Sequence, residues 1–406
     1  MRTHGGMSWY LKSVFILLGV FFIESIAVPA DAIPVFARRY KISCMACHVG
    51  FPKLNAFGES FAGNGYRMQG EDLSKQEVDT GDEKLQLLDH LPLAIRADSF
   101  FRTRNDTTTS SDLQAPFTIK LLSSAPITKN VSYYFYFLFN ERGDVAGVED
   151  AFIYFNDGFK NVDLDLRVGQ FQVSDILFAR EQRLTFQDFQ YFVTAVSNSG
   201  FQLTYDRAAE VSYSFDVSDG VSMGIVTAIA NGNGIGLADS ERNFDSDNFK
   251  NFYGLVSLDV GDQSVGLYGY SGRERNNQSV NNEFFRVGPK FEFNLSGDLG
   301  LWGSVLYGED SNPTFSLSNG RRIESWGALV GATYTINEDV IGSLLYNRAQ
   351  VNENRALDAH TVTANLSYFM ARNFKLMLEF TGDLETVRST HTEKEHTGVL
   401  GLVLAF

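Results

Sequence analysis

Cys44, Cys47 and His48, in the run Ser43-Cys44-Met45-Ala46-Cys47-His48, are the residues whose types and spacing point most directly to chemistry. The two cysteines are the only ones in the 406-residue chain. Two thiols three positions apart, followed at once by an imidazole, form the pattern that attaches a c-type haem. Thiols one helical turn apart can each make a thioether with a haem vinyl group, and the imidazole that follows then reaches the iron. Zinc would need four ligands, and a second Cys/His pair is missing. A thioredoxin-like redox pair would need a surrounding βαβ pattern, which is also missing. With both thiols used by one covalent haem c, none is left for a disulfide.

The sixth iron position has several candidates. Met68 follows His48 in Tyr66-Arg67-Met68, and a thioether there would raise the reduction potential relative to a second histidine. His90 is the alternative, and water, an open position or a residue from the rest of the chain completes the set. An open position would permit peroxidase-like or ligand-binding chemistry. Met45 points away from the iron by its place inside the motif, and His360, His391 and His396 fall at loop ends. Aromatic and apolar residues near the motif (Phe36, Tyr40, Phe51, Leu54, Phe57, Phe61 and Tyr66) are candidates for a haem crevice, punctuated by Pro52, Gly58 and Gly65. Oxygen ligands for a cation are offered by Asp239, Glu241, Asp245 and Asp247, by Glu309 and Asp310, and by Asp383 and Glu385. Each of these groups reads more readily as a solvated acidic loop. The chain has no Ser/His/Asp arrangement and no phosphate-binding glycine loop.

Arg2 and Lys12 precede the apolar run Val14 to Ile23, and Ala30-Asp31-Ala32 closes the segment as a secretory signal peptide would. The run is too short for a comfortable membrane helix. Cleavage near residue 32 removes two positive and two negative charges, so the mature chain keeps the net charge of −15. Such an acidic product is a poor ligand for nucleic acid or anionic lipid headgroups.

From about Leu93 onward, segments of roughly ten residues alternate apolar and polar. Val162, Leu164, Leu166 and Val168 share one face while Asp163, Asp165 and Arg167 share the other. Phe285, Val287, Pro289, Phe291 and Phe293 likewise oppose Arg286, Lys290, Glu292 and Asn294, and Phe374, Leu376, Leu378 and Phe380 oppose Lys375 and Glu379. One face wants hydrocarbon and the other tolerates charge. A water-soluble sandwich has the same period but shorter, more even connections. The final strand, Gly398 to Phe406, ends on an aromatic residue as outer-membrane strands do.

Counting segments gives seventeen, one too many for the even number a single-chain bacterial barrel requires. Reading Gly200 to Val217 as one bent strand restores parity. Sixteen strands then place the connectors 104–112, 170–197, 232–247, 272–282, 309–321, 350–358 and 383–395 on one side. The short turns at 125–129, 157–158, 218–220, 261–262, 296–297, 337–338 and 371–373 fall on the other. A sixteen-stranded barrel has a lumen wide enough for a plug. The longest connector, Gln170 to Asn198, is expected to fold inward or cap the pore, and reads equally well as a solvated outer loop.

The segment Ile33-Pro-Val-Phe-Ala-Arg-Arg-Tyr-Lys-Ile-Ser-Cys44-Met-Ala-Cys47-His48, with Pro52, Phe57-Gly58 and Asn64-Gly65-Tyr66 after it, resembles the start of the fused outer-membrane cytochrome–porins of iron-oxidising bacteria. Gln170-Phe-Gln-Val-Ser-Asp-Ile-Leu-Phe-Ala-Arg-Glu-Gln-Arg-Leu fits the same family. The haem motif alone is common to all c-type cytochromes. The specificity lies in the order of signal, single CxxCH, Pro/Phe-Gly/Asn-Gly-Tyr stretch and porin. The resemblance implies a haem in or beside the barrel that carries electrons from extracellular Fe(II) to a periplasmic cytochrome.

The chain therefore reads as all-β: residues 1–32 a signal peptide, 33–90 a small α-helical and irregular monohaem cytochrome c segment, and 91–406 a sixteen-stranded transmembrane β-barrel in outer-membrane lipid. Residues 33–90 are too few to bury a large core alone, so haem and barrel wall would supply the missing apolar surface. Two functions compete with inward electron transfer: a passive diffusion porin with a structural haem, and outward electron transfer to minerals.

Overall fold

The computed structural model describes residues 35–68, 78, 80–82, 84–85, 87–88, 92–105, 109–157, 162–236, 244–245, 247–352, 358–384 and 395–406. The expected signal peptide, His90, Asp239, Glu241, Glu385 and His391 lie outside the described residues.

Alternation of apolar and polar residues closes the chain into a barrel. Sixteen strands, β3 (Leu93–Asn105) through β18 (His396–Ala405), pair antiparallel with their sequence neighbours. The last strand pairs with the first, from His396↔Asn105 to Ala405↔Arg96. Closure leaves no unpaired edge, which is what allows a sheet to sit in hydrocarbon. The faces read from sequence are those observed. Val168, Val287, Leu378 and Phe380 point outward and are exposed, whereas Arg286, Lys375 and Glu379 point into the lumen and are buried. Stacked outward aromatics such as Tyr213–Phe215 and Phe291–Phe293 lie on the surface that would meet lipid.

Parity holds, with β7 (Leu164–Gln172) and β8 (Tyr205–Ser218) joined by the longest connector. The expected bent strand begins later than Gly200. Phe201 and Leu203 are buried among lumen aromatics and belong to the connector, so only the part from Tyr205 onward joins the sheet. Asp206 and Arg207 lie within the strand. The 104–112 connector is also shorter than expected, because β3 and β4 (Thr109–Thr128) extend to Asn105 and Thr109.

The connector 173–204 folds into the lumen. Its Phe189 and Phe192, with Leu177, pack against inward side chains of the wall, including Leu306, Leu329 and Leu345. Both carboxylate oxygens of Glu379 accept backbone N–H groups from it, Phe186 at 2.7 Å and Gln187 at 2.8 Å. Asn347 accepts from Gln190 N at 3.2 Å and donates to Asp188 O at 3.0 Å. Inward-facing polar residues, useless to a hydrocarbon core, here satisfy a loop that would otherwise bury unpaired backbone. Arg167 adds a further pin, 2.8 Å from Glu210 and 3.5 Å from Asp175 of the loop, with its guanidinium 3.8 Å above the Phe171 ring.

Candidate functional site

The N-terminal segment plugs the mouth of the barrel on the short-turn side. Helix α1 (Val35–Tyr40) leads into a single 3₁₀ turn at Cys44–Ala46, a two-strand hairpin (β1, His48–Gly50; β2, Lys53–Leu54) and helix α2 (Ala56–Gly63). Ser43 caps the turn by accepting from Met45 N at 3.3 Å, and Cys47 N donates back to Cys44 O at 3.2 Å. The turn thus sets both free thiols on one short element with His48 directly after.

Asn55 clasps this turn to α2. Its Oδ1 accepts from Gly58 N at 2.9 Å, the N-cap bond that starts the helix. Its Nδ2 donates to Met45 O at 3.3 Å and Ala46 O at 3.1 Å, and its backbone N–H donates to Cys47 O at 2.9 Å. Gly58 is not punctuation between elements, as the sequence suggested, but lies inside α2. A Cβ there would stand 2.0 Å from the Cys47 carbonyl oxygen, so only glycine lets the helix approach the turn this closely.

Docking to the rim is equally specific. Gly65, at φ +60°, packs where a Cβ would meet Asn156 Oδ1 at 2.2 Å and Ser132 Oγ at 2.7 Å. Asn156 Nδ2 donates to Gly63 O at 3.4 Å, and Arg67 pairs with Asp157 at 3.7 Å. Val49 and Phe51 of the plug join Leu184 of the inward connector, Ile341 and Phe369 in one apolar cluster. Plug and connector therefore meet inside the barrel.

Between plug, barrel wall and connector lies a cavity with about 1170 Å³ of space free of protein atoms, part of it open to solvent. Cys44, Cys47 and His48 all line it. Most of the remaining lining is apolar or aromatic, with Phe36, Ile42 and Phe61 from the plug and Leu122, Tyr134 and Ala405 from the wall. Phe36 stacks on Tyr66 at 5.3 Å between ring centroids, and Tyr66 on Tyr134 at 4.9 Å. His48 Nδ1 lies 3.1 Å from Pro52 O, an acceptor that fixes the proton on Nδ1. Burial lowers the imidazole's pKa, so the ring is neutral and Nε2 keeps its lone pair. Burial likewise raises the pKa of both thiols.

These residues fit a covalently attached haem. Two thiols and an imidazole with a free Nε2 converge on one apolar cavity, and a second hydrogen bond orients the imidazole as metal-ligating histidines are usually oriented. Of the expected crevice residues, Phe36, Phe51, Leu54, Phe61 and Tyr66 line the cavity. Tyr40 does not; it packs edge-on against Phe61 at 5.5 Å and donates to Tyr66 O at 3.2 Å. Phe57 is exposed on the outer side of α2. Met68 is half-buried beyond Arg67 and is not among the cavity-lining residues.

Four of the proposed cation ligands are engaged by internal partners. Asp245 pairs with Lys250, and Asp247 accepts from Phe249 N at 2.8 Å. Asp310 is fully buried beside Arg286 at 2.9 Å, and Glu309 pairs with Arg322 at 3.2 Å. Sequence reasoning missed Asn55, although an Asn directly before an apolar helical segment is a cap signal. It also missed the cavity residues Arg96, Lys120 and Glu181, which no local pattern ties to the motif.

No protein-family model matches this chain, and no curated protein matches its sequence. Solved structures do. The anion-selective porin from Comamonas acidovorans is similar with a TM-score of 0.57 and 15% identity, over 78% of this chain and 99% of that one. The outer membrane channel DcaP of Acinetobacter baumannii is similar at 0.53 and 13%, over 77% and 96%. Salmonella typhi OmpF, in complex with daunomycin, is similar at 0.51 and 13%, over 78% and 98%. At such identities the likeness is one of fold: this is a porin-like, sixteen-stranded antiparallel barrel.

Proposed function

We propose that the protein is an outer-membrane c-type cytochrome that takes electrons from extracellular Fe(II) and passes them to a periplasmic cytochrome. The observation that carries this reading is the convergence of Cys44, Cys47 and His48 on one apolar cavity at the short-turn mouth. When bound, haem would supply a one-electron acceptor between Fe²⁺ and the periplasmic cytochrome. Cys44 and Cys47 would hold the group and His48 Nε2 would ligate it, with the Pro52 carbonyl keeping that imidazole turned. Phe36, Phe61 and Tyr134 would exclude water around it. Residues 1–32, as a signal peptide, would export the chain to the compartment where such attachment occurs.

A second reading, a passive diffusion porin with a structural haem, is favoured by the likeness to porins. The inward connector and plug count against free passage, because together they fill much of the lumen. The discriminating experiment pairs two measurements on the purified, haem-loaded protein: stopped-flow haem reduction by Fe²⁺ with a midpoint potential, and conductance in planar bilayers. Rapid reduction with little conductance is expected. Open-pore conductance with a haem that Fe²⁺ does not reduce would favour the porin, and a potential too low for Fe²⁺ would favour outward transfer.

A further inference from the structure

The barrel wall of this cavity carries two cations that haem attachment through thioethers leaves unused. Arg96 on β3 and Lys120 on β4 are direct cross-strand partners, and both line the cavity. Arg96 Nε donates to Asp98 Oδ1 at 2.8 Å, and its guanidinium lies 5.4 Å from the Phe51 ring centre. Among the described residues its two terminal nitrogens have no hydrogen-bond partner. Lys120 Nζ lies 2.6 Å from Glu181 Oε2, an oxygen that also accepts from Tyr136 OH at 3.0 Å. One acceptor serves Lys120, which has three N–H donors. Each cation thus has one carboxylate partner, Asp98 for Arg96 and Glu181 for Lys120, and keeps further N–H donors for another anion.

A haem carries two propionate carboxylates on the edge opposite its vinyl groups. With the vinyl edge tied to Cys44 and Cys47 on the plug, the propionate edge faces the barrel wall. Resting on the haem reading above, we infer that Arg96 and Lys120 form the carboxylate subsite of this cavity, with the outer fork of Arg96 gripping one propionate and Lys120 shared between the other and Glu181. A guanidinium fork matches a carboxylate with two parallel bonds, and its idle outer face is otherwise unexplained. The same cations favour the reduced haem, which carries one more negative charge, and so raise its potential towards that of the Fe²⁺ donor.

The test uses the full-length, haem-loaded protein in detergent, with resonance Raman in the propionate-bending region and potentiometric titration. Arg96→Gln is expected to shift the propionate band and lower the midpoint potential. Arg96→Lys, which keeps the charge beside Asp98 but loses the fork, should shift the band while largely preserving the potential, and it remains decisive if the glutamine variant misfolds. The paired change Lys120→Gln with Glu181→Gln, which strands no charge, should move the band of the second propionate. An unshifted band and an unchanged potential in all variants would overturn this inference and leave the haem reading intact. A wild-type protein without covalent haem would overturn both.

Discussion

Replacing Asn55 by Ala tests whether one side chain locks the Cys44–Ala46 turn to its helix. The substitution deletes the N-cap of α2, worth about 1 kcal/mol. It also deletes two donated bonds to the Met45 and Ala46 carbonyls, each worth about 1 kcal/mol. The total, about 3 kcal/mol, corresponds to a rise on the order of 100-fold in the open population of the turn. Hydrogen exchange in the folded protein should show that loss of protection at Cys47 N and Gly58 N, while barrel amides such as those of β18 stay protected. Asn55→Asp separates the two roles, because its carboxylate keeps the cap oxygen for Gly58 N–H but presents an anion to the two carbonyls. It should retain protection at Gly58 and lose it at Cys47. Wild-type protection at Cys47 in both variants would refute the clasp, and equal losses throughout the barrel would show a global effect instead.

Cys47→Ala should abolish peroxidase-stainable covalent haem while barrel insertion, which rests on strand pairing, survives; persistent staining at wild-type level would sink the attachment reading. Met68→Ala should leave the visible spectrum and the potential unchanged, since Met68 stands outside the cavity lining, and an altered ferric spectrum with a lowered potential would restore Met68 as the second axial ligand. Arg167→Gln strands Glu210 and Asp175 at a cost on the order of 3–5 kcal/mol, so the inward connector should loosen and single-channel conductance rise; unchanged conductance would mean the pin does not hold the loop. Partial desolvation at the barrel mouth, with Glu292 nearby, raises Glu59 to about 7 from its ordinary 4.5, only partly offset by Lys53 and Lys290. The docked plug then keeps a proton that the undocked one releases, so docking is firmest below about pH 4.5 and weakens up to about 7. Limited proteolysis across that range should follow this trend in wild type and flatten in Glu59→Gln.

The barrel was legible because its cause is local. A period of two with hydrocarbon on one face is written in every strand, and evenness of strand number corrected the single miscount at 200–217. What escaped was set by tertiary contact. Gly200 to Thr204 carries strand-like residues, but burial of Phe201 and Leu203 in the lumen outweighs β propensity there. Gly58 looked like a breaker because its reason, the Cys47 carbonyl, lies eleven residues away. The CxxCH motif was legible for the opposite reason, since covalent chemistry needs its groups adjacent in sequence, whereas Arg96, Lys120 and Glu181 are assembled by cross-strand register and an inward loop.

That division explains how a segment too short for its own core would hold the proposed haem. A porin lumen is normally polar, but in this barrel the inward positions are mixed, with Asn347, Thr363, Asn365 and Glu379 beside the Leu306, Leu329 and Leu345 on which the connector packs. At the short-turn mouth Ala94, Leu122, Tyr134 and Ala405 line the cavity beside the plug instead. Those substitutions would be wasted facing water, and they make sense as the half of an apolar crevice that residues 35–68 cannot supply alone. The polar positions Arg96 and Lys120 interrupt the apolar lining at the wall. Leu122→Gln or Tyr134→Gln should therefore leave the barrel closed and the thioethers intact but lower the temperature at which the visible spectrum of the enclosed haem is lost. If that temperature were unaffected, the wall would be only a container and not part of the cofactor site.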